Sequence, residues 1–335
     1  MAEAIQGRQD GLPPALIVCG PTCSGKSALA FRLAERHRGT VINADSMQVY
    51  RDLRVLTARP TPDEERRVPH RLYGVRDAAS AGNAAWWRGQ AVDALREAWT
   101  AGRLPILCGG TGMYLSALLH GLAPVPDPGE AARAEARDLL EREGPGALHE
   151  RLAAVDPATA ATLRPTDGQR LARAWEVWRG TGRGLAAWHG EEPAPPVAMR
   201  AVVIRLDPSR DVLRRALADR FAAMMAEGAL DEVRALLARR LPPELPAMRA
   251  HGVPELAALL RGELPRAEAE RRAVAAQNRY IKRQSTWFRH QFLLPAEQTI
   301  VLPCRMADMT QQMESDLAST MSFVIETVDD GGGPA

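Results

Sequence analysis

Lysine is almost missing from this chain of 335 residues. Of its 43 basic residues only Lys26 and Lys282 are lysine, and arginine supplies the rest. No apolar run approaches the roughly 18 residues that a membrane-spanning helix needs, so no membrane partner is expected. The opening, MAEAIQGRQDGLPP, lacks the apolar core of an export signal, and a cytoplasmic chain is expected. Cysteine is limited to Cys19, Cys23, Cys108 and Cys304, without a tight cluster, which reads as reduced thiols and no zinc site. His37, His70, His120, His149 and His189 show no ligand spacing, so a metal–histidine centre is excluded. A net charge of only +2 does not announce nucleic acid. There is no internal repeat and no dedicated dimerisation helix, and a monomer is expected.

Against this arginine habit, Lys26 stands out. It belongs to GPTCSGKS, residues 20 to 27, directly after the apolar run ALIVC. The pattern G-x-x-x-x-G-K-S, on Gly20, Gly25, Lys26 and Ser27, is a phosphate-binding loop. Its glycines let the chain bend so that backbone amides point inward. A compact ammonium bridges phosphate oxygens where a planar guanidinium would not fit, and the serine hydroxyl can ligate Mg²⁺ at the helix start. The loop establishes a bound diphosphate-like group. It leaves open whether that group is the tail of ATP or something else. Cys23, inside the loop, reads as a plain small residue.

The first third of the chain alternates strand and helix signals. ALIVCG (15–20), TVINADS (40–46), the weaker HRLYGV (70–75) and LPILCGGTG (104–112) read as strands. KSALAFRLAERH, the stretch 84–102 and MYLSALLHGL read as helices. Such alternation predicts a parallel sheet covered on both faces. The proline-rich PVPDPGE (124–130) ends the pattern. Short helices without a strand follow, up to GEEPAPP (190–196). MRAVVIRLD (199–207) reads as a strand again, and the remainder reads as helical. The domain reading is therefore a first core segment over 1–123, a helical insertion over 124–196, a mostly helical second core segment over 197–328, and a disordered tail over 329–335.

Asp45 ends the second strand candidate. Ligands of open parallel sheets bind at the carboxyl ends of the strands, so Asp45 should face the phosphate loop. There it could accept a proton from a nucleophile or hold Mg²⁺ through water; a turn or cap aspartate is the plain alternative. GGTGMY (109–114) brings Thr111 to another strand end, as a substrate contact or as a simple strand-to-helix turn. QNRYIKRQSTWFRHQ (277–291) interleaves Arg279, Lys282 and Arg283 with aromatics, as does QRLARAWEVWRGTGR (169–183). Both suit an RNA surface, and both also suit amphipathic helices with solvated cations. Trp86 and Trp87 read as packing.

In their order along the chain, GPTCSGKS, NADSMQVYRDL, TARPT, PHRL, AGRLPILCGGTGMYL, DPATAATLRPTDGQRLARAWEV, DRFAAMMAEGALDEV and KRQSTWFR resemble the tRNA dimethylallyltransferase family. The likeness runs from about Ala15 to Arg289. It implies an α/β fold: a P-loop NTPase-like parallel sheet core with a helical insertion domain. It implies transfer of a dimethylallyl group from dimethylallyl diphosphate to the exocyclic amine of the adenosine 3′ of the anticodon, with Mg²⁺ as cofactor and the tRNA anticodon stem-loop as partner. By this resemblance Gly20, Pro21, Thr22, Cys23, Ser24, Gly25, Lys26, Ser27 and Arg220 would hold the diphosphate, and Ser27 the metal. Asp45, Thr111 and Lys26 would be catalytic. The tRNA surface would include Asp45, Ser46, Met47, Gln48, Thr111, Arg133, Gln169, Arg170, Leu171, Ala172, Arg173, the stretch 249–254 with Arg249 and Gly252, and the stretch 276–283 with Arg279, Lys282 and Arg283.

The chain departs from the family where relatives have G-Y and this sequence has Gly252-Val253. It departs again where relatives often show T-R-Q and this sequence has Gln277, Asn278 and Arg279, and where a common lysine is Arg59. Three other readings compete: a P-loop small-molecule kinase, a prenyltransferase acting on free adenylate, and a non-enzymatic RNA-binding protein.

Overall fold

The computed structural model describes residues 11–291 and 293–309, so the expected tail at 329–335 lies outside the described residues. The chain divides into two compact units. One comprises 120–196, and the other the segments on either side of it.

The larger unit is built on a parallel sheet. Strand β1 (Pro14–Cys19) leads through the phosphate loop into helix α1 (Lys26–Arg36), and β2 (Gly39–Asn43) follows. Helix α2 (Pro62–Arg67) starts at a capping box in which Thr61 and Glu64 satisfy each other's backbone amides. Then come β3 (His70–Arg71), α3 (Ala84–Thr100), β4 (Leu104–Gly109) and α4 (Gly112–Leu119). The strand order is β3-β2-β4-β1, and all pairs are parallel.

The smaller unit holds α5 (Glu130–Val155), α6 (Pro157–Ala160), α7 (Gly168–Thr181) and α8 (Leu185–His189). Within α5 the backbone breaks at Gly144, whose φ of 80° precedes Pro145, so two helical stretches meet there. Ala136, Leu139, Leu148, Leu152, Leu171, Ala174 and Trp175 form this unit's own core.

The chain returns to the sheet with β5 (Arg200–Leu206), which pairs with the free side of β1. Helices α9 (Arg210–Ala226), α10 (Ala229–Ala238), α11 (Val253–Leu260) and α12 (Arg266–His290) follow. A last strand, β6 (Thr299–Leu302), adds to the edge beyond β5. This strand corrects the expectation of an all-helical remainder. Four residues with an exposed Val301 carry too little period to announce a strand.

Alternation along the strands loads both faces. Leu16, Val18, Ile106 and Cys108 pack with Leu29, Ala30 and Leu33 of α1. Ala15, Ile17, Cys19, Ile42 and Leu107 pack with Trp87, Leu95, Leu115, Leu118 and the C-terminal helices. Trp87 is fully buried, stacks on Tyr114 at 4.6 Å and donates from Nε1 to the Asn43 carbonyl, so it is packing, as its sequence suggested.

The chain after β2 passes close against the end of β4. A Cβ added to Gly109 would stand 2.1 Å from the carbonyl of Ala44. That neighbour is backbone and cannot step aside. Gly109→Ala is expected to destabilise the protein by about 3 kcal/mol, at the upper end for overpacking. Urea denaturation checks it; an unchanged midpoint would mean that the two strand ends separate freely.

Candidate active site at the strand ends

Three strand ends converge because β4 lies between β1 and β2. From β1 emerges the phosphate loop. Gly20 has φ 145°, and a Cβ there would meet the Leu206 carbonyl at 2.5 Å. Gly25 has φ 88°, with Met306 against it. Cys23 takes a left-handed φ of 68° despite its side chain, and it is buried. The loop thus winds tightly and delivers Lys26, itself only 9% exposed, to the first turn of α1.

From β2 emerges Asp45. The Asn43 side chain accepts from the Asp45 amide at 2.8 Å and donates to the Asp45 and Leu72 carbonyls at 3.0 Å. The Asp45 carboxylate oxygen Oδ1 in turn accepts from the Met47 amide at 2.9 Å. This carboxylate is half-buried and held by backbone donors, an arrangement that fixes its direction.

From β4 emerges Thr111, whose amide donates to the Ala44 carbonyl at 3.2 Å and whose hydroxyl oxygen accepts from the Ser46 amide at 2.9 Å. The segments after β2 and β4 are therefore bonded to each other as well as adjacent.

Helix α12 closes the floor. Gln284, 4% exposed, accepts at Oε1 from the Thr22 amide at 2.9 Å and from the Thr22 hydroxyl at 3.0 Å. Its Nε2 donates to the Gly110 carbonyl at 2.9 Å. One turn earlier lies Tyr280; burial and the nearby Asp45 charge raise its pKa, so the phenol stays protonated. The His251 ring lies tilted against that of Tyr280, with centroids 4.5 Å apart. Burial and the Arg283 guanidinium lower its pKa, against the opposing pull of Asp45, so the ring is neutral at pH 7. Burial pushes the Cys19 thiol up to about 12 and the Cys108 thiol up to about 11, so neither is a nucleophile at neutral pH.

One cavity is lined by Thr22, Lys26, Ser27, Asp45, Met47, Gln48 and Arg220, with Leu56, Thr57, Ala250, His251, Gln277 and Tyr280 completing its wall. The loop bearing Leu56 and Thr57 is anchored from α10. The Glu232 carboxylate accepts from the Arg54, Val55 and Leu56 amides, the last two at 2.8 and 2.9 Å. Gln48 Nε2 donates to the Thr57 and Ala58 carbonyls at 2.9 and 3.0 Å. From outside, the segment after β6 braces the phosphate loop. Arg305 Nε donates to the Cys23 carbonyl and the Met306 amide to the Ser24 carbonyl, at 3.0 and 3.1 Å.

The remaining residues named from the sequence are distributed as follows. Pro21 and Ser24 are buried in the loop, and Ser27 is exposed at its end. Arg279, Lys282 and Arg283 are exposed on α12, where with Thr286 and Trp287 they line an open groove. Phe288 is core. Arg249 is exposed and Gly252 is buried against Leu56. In the smaller unit Gln169 and Arg170 are exposed, Ala172 is half-buried, Arg173 pairs with Glu176 and Arg133 with Asp127. Leu171 is a correction: it is fully buried in that unit's core, because it lies on the apolar face of α7, and it offers no surface to RNA. Sequence reasoning does not find Gln284, Glu232 or Arg305. Their partners lie far off in the chain, and only a glutamine within a basic stretch hints at the first.

These features define a class: an α/β protein of the P-loop type whose phosphate loop shares one cavity with a carboxylate. Residues 48–291 match the IPP transferase family, and the chain belongs to that family. It is 62% identical to a tRNA dimethylallyltransferase of Gluconacetobacter diazotrophicus, over 95% of this chain and 96% of the relative. It is 59% identical to the same enzyme of Gluconobacter oxydans, over 94% and 95%. Among solved structures it is similar to the full-length tRNA isopentenylpyrophosphate transferase of Bacillus halodurans. That match has a TM-score of 0.65 and 30% identity, over 95% of this chain and 98% of the other. It also shares the fold of a eukaryotic dimethylallyltransferase acting on tRNA, with a TM-score of 0.75 and 24% identity, over 94% and 80%.

Gln284→Leu would strand the Thr22 amide and the Gly110 carbonyl without partners. It is expected to cost about 2 kcal/mol of stability, as for unsatisfied buried groups, and to lower activity through a loosened phosphate loop. Thermal melting and steady-state kinetics together check this; full activity would mean that the loop keeps its shape without Gln284.

Proposed function

We propose that this chain transfers the dimethylallyl group of dimethylallyl diphosphate to the exocyclic amine of the adenosine 3′-adjacent to the anticodon in tRNA. The observation that carries the reading is the shared cavity: cationic and amide donors at one part of its wall, and the oriented Asp45 carboxylate at another.

The chemistry follows from these groups. The bond between the allylic carbon and the diphosphate oxygen breaks, a bond forms from that carbon to the adenine amine nitrogen, and the diphosphate departs. Lys26, Arg220 and the loop amides neutralise charge as it grows on the leaving group. Asp45 accepts a hydrogen bond from the amine and then its proton, which matters because an aryl amine is a weak nucleophile. Thr111 and Tyr280 position this edge. The adenosine must leave its stack to reach it. Met47, Leu56 and Ala250 add apolar wall suited to a prenyl chain.

The donor set fits Mg²⁺. Ser27 would supply an oxygen ligand, diphosphate oxygens would supply others, and among the described residues no cluster of three or more histidine, cysteine or acidic side chains forms a separate cage. Ser27 would hold the ion, which when bound neutralises leaving-group charge. The exposed cations of α12 and the arginines of the smaller unit suit the anticodon stem-loop. A monomer acting in the cytoplasm completes the proposal; no described helix is long and apolar enough to cross a membrane.

Asp45→Ala is expected to lower kcat at least 100-fold, within the usual range for a general base, while tRNA affinity stays within about twofold. Lys26→Ala is expected to act mainly on use of the prenyl donor. Kinetics at varied donor and a tRNA binding assay separate the two; lost tRNA binding in Asp45→Ala would remove the general-base assignment.

A further inference from the structure

A side chain of the cavity wall carries a polar atom with no partner among the described residues. Gln277 of α12 is 6% exposed, and its amide nitrogen Nε2 is buried without a hydrogen bond to any described residue. A buried unpaired donor weakens a fold, so its persistence points to an acceptor that comes from outside the protein. Gln277 lines the cavity together with Thr22, Lys26, Asp45 and Arg220.

Its place on the helix selects which part of the cavity it serves. Val274 and Ile281, on the same face of α12 one turn before and after, pack with Leu213, Ala216 and Leu217 of α9. Gln277 lies between them and so faces α9. Arg220 stands one turn beyond Ala216 on that helix and lines the same cavity. Lys26 and Arg220 are cationic donors, and Gln277 adds a neutral one. A set of donors around one space suits a ligand made of acceptors, and a diphosphate is such a ligand.

We propose that Gln277 Nε2 donates a hydrogen bond to a diphosphate oxygen of the prenyl donor, beside Arg220, and is a further donor-binding residue of this enzyme. The proposal rests on the reading of the cavity as a prenyl diphosphate site. It assigns to the donor a side chain within the stretch 276–283 that the family resemblance gave to tRNA.

Gln277→Leu and Gln277→Glu test it, with inorganic pyrophosphate as the probe. In Gln277→Leu the KM for dimethylallyl diphosphate and the inhibition constant of pyrophosphate should each rise about tenfold, the loss of one hydrogen bond to a charged group. The KM for tRNA should stay within about twofold. The melting temperature of the unliganded protein should hold or rise, because an unpaired donor has been replaced by apolar atoms; a structural glutamine would show a fall. Gln277→Glu should weaken both donor constants further, since a carboxylate repels the diphosphate.

Unchanged donor constants in Gln277→Leu would overturn the proposal. A rise confined to the KM for tRNA would overturn it in favour of a contact to the base. A lower melting temperature with all kinetic constants affected alike would also overturn it. If pyrophosphate fails to compete with the prenyl donor in the unaltered enzyme, the cavity reading itself falls; competition that Gln277→Leu leaves untouched removes only the role of Gln277.

Discussion

The phosphate loop depends on a side chain 262 positions away in the sequence. Gln284 holds the Thr22 amide and hydroxyl with one amide atom and the Gly110 carbonyl with the other. A loop that must present inward amides cannot satisfy all its own groups, so something must fix the ones that face away. An amide side chain is suited to this, because it donates and accepts at once. Gln284 therefore sets the loop after β1 at a fixed distance from the turn after β4. With Thr111 bonded to Ser46, the segment after β2 joins the same arrangement. The cavity is a consequence of that three-way tie.

The tie explains how a sheet edge becomes a reaction site. Parallel strands bring their carboxyl ends together, but they do not orient the side chains that follow. Orientation comes from local bonds: Asn43 fixes the backbone of Asp45, the Met47 amide fixes its carboxylate, and Tyr280 and Thr111 cover one side. Glu232 does similar work at the opposite wall by gathering three successive amides of the loop at 54–56. Buried carboxylates and amides in these places are each met by donors or acceptors from other segments. Gln277 Nε2 has no such partner among the described residues, and an unpaired donor on a side chain of a binding cavity is where a ligand atom is expected.

Much of this architecture is legible in the amino-acid sequence. The β1–loop–α1 unit is legible because glycine spacing, an apolar run and a lysine in a chain that avoids lysine agree. Asp45 is legible because a carboxylate ends a strand-like run. Helix α12 is legible as a helix, but its sides are not: the same stretch holds the core residue Phe288, the solvent-facing Lys282 and Arg283, and the tie Gln284. Which face is which depends on partners such as Thr22, 262 positions away in the chain. Leu171 misleads for the same reason, since a run of consecutive helix residues cannot all face one surface. β6 escapes notice because its short run gains its bonds only by lying against β5.

The central claim is that this phosphate loop holds a prenyl diphosphate and works with Asp45 on a tRNA adenosine. The most direct measurement follows labelled dimethylallyl diphosphate with purified protein and Mg²⁺, offered unmodified tRNA in one reaction and free AMP in another. A parallel reaction offers labelled ATP with small acceptors. The account predicts label in tRNA alone, at the nucleotide 3′ of the anticodon, and no phosphate transfer from ATP. Phosphate transfer from ATP without prenyl label would contradict it and return the loop to a nucleotide; prenyl label on free AMP alone would keep the donor and contradict the tRNA acceptor.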